Sequence, residues 1–79
     1  MAVLIKSDGT TQEGVDISTL RKQQELVGGY IEYVYADGKI FIVNEEGLLE
    51  HLPFNEEASR IYGHPLVGDV VMCESNEIE

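Results

Sequence analysis

The segment from Tyr30 to Val43 constrains the fold more than any other part of the chain. Residues 30–35 (YIEYVY) alternate and are rich in aromatic and β-branched side chains, which suit a pleated, half-buried surface. Asp37-Gly38 follows, a dipeptide that accepts the positive φ angles of a tight hairpin turn. Residues 39–43 (KIFIV) return as a second strand, with Ile40 and Ile42 on one face. Asn44-Glu45-Glu46-Gly47 reads as another turn and 48–52 (LLEHL) as a third strand. The centre of the chain is therefore expected to be a three-stranded antiparallel meander.

The flanks supply short elements. Residues 2–6 (AVLIK) predict a strand with Val3 and Ile5 on one face, Ser7-Asp8-Gly9-Thr10 a turn, and 11–15 an edge strand. Ser18 is placed to cap a helix over 19–27, with Ile17, Leu20 and Val27 near its apolar stripe. Arg21, Lys22, Gln23 and Glu25 are expected to face water, and Gly28-Gly29 to end the helix in a left-handed turn. After Pro53-Phe54, Asn55 caps a second helix over 56–62. Glu56 and Glu57 suit the positive end of its dipole, and Ala58, Ile61 and Tyr62 form its buried stripe before Gly63 and Pro65. Residues 69–73 (DVVMC) predict a last strand and 74–79 a flexible tail. Clustered strands, rather than regular β–α alternation, give one α+β domain over residues 1–79: a small, mainly antiparallel sheet with two short helices.

A chain of 79 residues buries a marginal core. A single cysteine, Cys73, offers no internal disulfide and points to a reducing compartment, and the two histidines offer no metal cluster. That leaves a well-packed core or self-association, and of the two a homo-oligomer is expected. Five Lys/Arg against fifteen Asp/Glu leave a formal charge of −10. Such a surface repels nucleic acid and anionic lipid, so no direct nucleic-acid or membrane partner is expected, and it attracts basic protein surfaces. The apolar start of the chain is too short for a signal peptide or span, which predicts a cytoplasmic protein.

Catalytic chemistry finds little purchase. Cys73 lies in an apolar strand and reads as a small buried hydrophobe. His51 and His64 are single rings set apart in the sequence, with neither a catalytic triad nor a metal-ligand cluster around them, and the pairs Glu45-Glu46 and Glu56-Glu57 suit turn and helix-start roles. No phosphate loop is present, since Gly28-Gly29 ends a helix rather than opening one. The expectation is a protein without enzymatic activity or cofactor. Among polar groups, the exposed faces of Tyr30, Tyr33 and Tyr35 and the cations Arg21, Lys22 and Arg60 are the candidates for a binding surface.

The run Val27-Gly28-Gly29-Tyr30-Ile31-Glu32, followed by Val43-Asn44-Glu45-Glu46-Gly47 and Leu52-Pro53-Phe54-Asn55, resembles a family of small proteins and domains of unknown function. Members of that family occur in bacteriophages, mobile elements and Gram-positive bacteria. The pattern covers residues 3–73 and draws attention to Gly28, Gly29, Tyr30, Glu32, Asn44, Glu45, Gly47, Pro53 and Asn55. The resemblance implies a compact α+β domain in a phage or mobile-element setting. Combined with the residue-level reading, it leads to a stoichiometric binding protein that blunts a host defence. The first form is a homo-oligomer trapping a small nucleotide signal between subunits through Tyr30, Asn44, Asn55 and Arg60. The rival form is an acidic mimic of nucleic acid that occupies a basic host enzyme.

Overall fold

A computed structural model describes residues 1–78. Its elements run β1 (Val3–Ile5), β2 (Thr11–Glu13), α1 (Leu20–Val27), β3 (Ile31–Ala36), β4 (Lys39–Asn44), α2 (Glu56–Tyr62) and β5 (Val70–Glu74), with a closing 3₁₀ turn at Ser75–Glu77. The five strands form one antiparallel sheet in the order β2-β1-β5-β4-β3. This is an α+β fold. α1 packs on one face and α2 on the other.

The period-two alternation of each strand divides the core between the two faces. Leu4, Ile40, Ile42, Val71 and Cys73 point towards α1, where Ile17 and Val27 meet them. Ile5, Phe41, Val43 and Val70 point towards α2 and pack on Ala58 and Leu66. β4 is buried on both faces, as a strand between two helix layers must be. The β3–β4 hairpin forms as expected: Asp37 and Gly38 take φ 51° and 76°, and Ala36 pairs with Lys39 across the turn.

The expected third strand of the meander does not form. β5 occupies the place beside β4, pairing Val71 with Ile42 and Cys73 with Ile40. Residues 45–51 wind instead through helical-type turns, with Glu50 N–H donating to Glu46 O (2.9 Å) and Leu52 N–H to Gly47 O (3.0 Å). Asn44 starts this departure. Its side-chain oxygen accepts from Glu46 N–H (2.8 Å), an Asx turn that draws the backbone off the sheet.

Helix α1 begins one residue later than expected. Ser18 N–H is held by the Asp16 carboxylate (2.9 Å), and the Thr19 hydroxyl caps the helix by accepting from Lys22 N–H (3.1 Å). Its inward stripe also differs: Leu20 is exposed, whereas Gln23 is buried. Gln23 donates to Ile17 O (2.9 Å) and accepts from the Tyr33 hydroxyl (2.6 Å), so its polar end is satisfied inside the core. Gly28 closes α1 in the left-handed region at φ 82°. At the C-terminal end, the stretch expected to be a flexible tail carries the end of β5 and the 3₁₀ turn. The Glu77 carboxylate accepts from Glu74 N–H (2.7 Å) there, and Glu79 lies outside the described residues.

Asn55 holds the α2 side together. Fully buried, it caps α2 through Ala58 N–H (3.0 Å) and donates to Ile5 O and Gly68 O, both at 2.8 Å. One amide thus joins β1, α2 and the approach to β5. Asn55→Ala strips the cap and strands two buried carbonyls, so urea unfolding is expected to show a loss of about 3 kcal/mol. Asn55→Asp keeps a cap oxygen but turns a carboxylate towards two carbonyls, and a comparable loss is expected.

Candidate functional site

The groups that could carry bond-breaking chemistry are far from one another in role. Cys73 is 2% exposed on the α1 side of the sheet, and burial pushes its thiol up to about 11, so it is neutral and enclosed. His51 sits exposed at φ 57° in the turn after β4, and His64 lies edge-on to Tyr62 at 5.6 Å. No cluster of three metal-ligating side chains occurs among the described residues. The Glu57 carboxylate is engaged by the Arg60 guanidinium one helical turn away (Nε to Oε1 3.2 Å).

A groove of about 490 Å³ opens on the α2 side at the β3 end of the sheet. Val34 and Val43 from neighbouring strands contribute to it, with Leu48 and Leu49 from the turn after β4 and Pro65, Leu66 and Val67 from the segment after α2. Leu48 and Leu49 are 79% and 80% exposed, an uncommon position for two adjacent leucines. The polar groups lining it are Glu32, Asn44 and Glu45; no lysine or arginine does. A surface of this kind can take an apolar body that carries positive charge or hydrogen-bond donors at its edges.

Local packing explains how the leucines come to be presented. Asn44, only 6% exposed, donates to Val27 O and to the Glu50 carboxylate (both 3.3 Å) while holding the Asx turn. Gly29 leaves room beside it, because a Cβ there would lie 3.0 Å from the Asn44 amide nitrogen. Gly47 lets the turn approach the segment after α2, since its Cβ would stand 2.8 Å from a Val67 methyl. The turn is therefore anchored at both ends, and Leu48 and Leu49 project from its middle.

The four residues expected to form a binding site are not gathered. Asn44 lines the groove. Tyr30 is 66% exposed and sits next to it through its carbonyl, which accepts from Glu45 N–H (2.8 Å), but its side chain is not part of the lining. Asn55 is withdrawn from any ligand role, since it is fully enclosed and its amide is used on backbone groups. Arg60 is exposed on α2, paired with Glu57, and also absent from the lining. Sequence pattern alone places Leu48 and Leu49 in a strand, and their adjacency directly after the Asn-Glu-Glu-Gly turn is the one local signal for them. A second depression of about 480 Å³ on the α1 side is lined by Gln23 and Tyr33, whose polar ends are already spent on each other.

A family model matches residues 1–79, and the chain belongs to that family, described as a domain of unknown function (DUF3846). No curated protein and no solved structure matches the chain.

The enclosure of Cys73 gives a direct check on this arrangement. At pH 8, well below the value of about 11, the native thiol is expected to resist a disulfide reagent. One equivalent should react promptly once the chain is unfolded in guanidinium, read as released chromophore.

Proposed function

We propose that this family member is a non-enzymatic binding protein of a phage or mobile element, and that it acts by occupying a basic host protein through the groove beside β3. The supporting observation is the composition of that groove: valine and leucine surface edged by Glu32 and Glu45, with no lysine or arginine lining it. A cationic segment with apolar side chains complements both features. The formal charge of −10 adds long-range attraction for such a partner and speeds encounter. Effect by occupation also fits the separation of Cys73, His51 and His64, none of which has an activating neighbour in the contacts described.

A second reading keeps a specific observation in its favour. The groove volume of about 490 Å³ lies within the range of small-ligand sites, and the Glu32 and Glu45 side chains are hydrogen-bond acceptors suited to the amino edges of a nucleobase. The phosphates of a nucleotide signal would then need cations from outside the groove, because Arg60 is held by Glu57. This weighs against a nucleotide in a single copy.

Passing host extract over the immobilised protein separates the two readings. The basic-partner reading expects a retained protein that is lost at 0.5 M salt, with roughly tenfold weaker retention by the double variant Glu32→Gln, Glu45→Gln. A retained nucleotide, insensitive to salt, supports the second reading instead. Retention that ignores both salt and the carboxylate changes contradicts the groove as the basic-partner site.

A further inference from the structure

We propose that β3 is the seam of a symmetric dimer in which two copies pair their β3 strands antiparallel about Tyr33. The two sheets then become one, and the groove of each copy meets its counterpart across the seam.

The sheet has two free edges, β2 and β3, and they are unlike. β2 is three residues long, Thr11–Glu13, polar and fully exposed, which is how an edge is kept from pairing. β3 is six residues long, IEYVYA, and pairs with β4 in unbroken register from Ile31 to Ala36. It carries no proline, lysine or bulge to block an incoming strand.

The hairpin fixes which backbone groups face outward. Ala36 and Lys39 flank a two-residue turn and so form a hydrogen-bonded pair. Alternation then points the N–H and C=O groups of Val34 and Glu32 into β4, and Tyr30 continues the series by accepting from Glu45 N–H (2.8 Å). The groups of Ile31, Tyr33 and Tyr35 are left facing out of the sheet. A two-fold axis at Tyr33 satisfies all three sets with those of a second copy.

That register is self-complementary in its side chains. Tyr35 stands opposite the partner's Ile31, Glu32 opposite the partner's Val34, and Tyr30 opposite the partner's Ala36, so no carboxylate directly faces another. Tyr30 and Tyr35, each 66% exposed, gain apolar neighbours across the seam. Leu48 and Leu49, which line the groove together with Glu32 and Val34 of this strand, add exposed apolar surface at the same end of the sheet. The partner's Val34 would extend the groove wall next to Glu32, so the site is completed by the second copy.

The inference rests on the β3 edge and not on which target the groove takes. It also has its own salt signature. Two copies of charge −10 repel, so pairing should strengthen with salt, opposite in sign to the loss expected for a basic partner. Sedimentation equilibrium of the full chain at 50, 150 and 500 mM NaCl tests this, with Tyr35→Lys at the exposed seam and Gln12→Lys on the β2 edge as control. The expected result is a species of twice 8.8 kDa whose dissociation constant falls several-fold as salt rises. Tyr35→Lys should weaken it at least about tenfold while Gln12→Lys leaves it unchanged. Slowed hydrogen exchange at the Ile31, Tyr33 and Tyr35 amides in the dimer supports the register. A single 8.8 kDa species at every salt, a dimer broken by Gln12→Lys but not Tyr35→Lys, or rapid exchange of those amides within a dimer overturns the proposal.

Discussion

The Asn44 side chain decides what stands beside each strand. Its oxygen accepts from Glu46 N–H and bends the chain off the sheet, while its nitrogen reaches Val27 O at the end of α1. Had the chain turned back as a strand along β4, β5 would have lost its place at Ile40 and Ile42. Because it does not, β5 sits in the middle of the sheet, and Leu48 and Leu49 are carried out over the groove beside the β3 edge. Asn55 plays the matching part on the α2 side, where one enclosed amide ties β1, α2 and Gly68 together. Two asparagines, both expected to touch ligand, thus serve chiefly to route backbone.

Features set by neighbouring residues were legible in the sequence. The Asp37-Gly38 hairpin, the Gly28 and Gly63 helix ends and the Asn55 cap all depend on φ preference or a side chain reaching a few residues along. Features set by distant residues were not. LLEHL has the composition of a short strand, and only the competing claim of residues 70–74 on β4 shows why it stays a turn. Gln23 looked solvated because its partner, the Tyr33 hydroxyl, arrives from another element. The site followed the same division. Asn44 stands out through the family pattern, but the groove is assembled from β3, β4, the turn after it and residues 65–67, which no local pattern joins.

Charge and exposure then point the same way. A chain with three times as many acidic as basic side chains places its most exposed leucines beside two carboxylates and an open strand edge. Its candidate nucleophile is held neutral inside the core. Such a division of resources suits recognition: the reactive group is spent on packing, and the unsatisfied surface is gathered at one end of the sheet.

Site-specific photo-crosslinking tests the placement of function most directly. A photoreactive phenylalanine analogue would replace Leu49 at the groove or Gln12 on the opposite sheet edge, and the protein would be irradiated inside the host cell. The account predicts a discrete crosslinked product from position 49 and none from position 12. A product from position 12 alone would contradict it, because recognition would then occur at the edge that the fold keeps polar and closed to pairing.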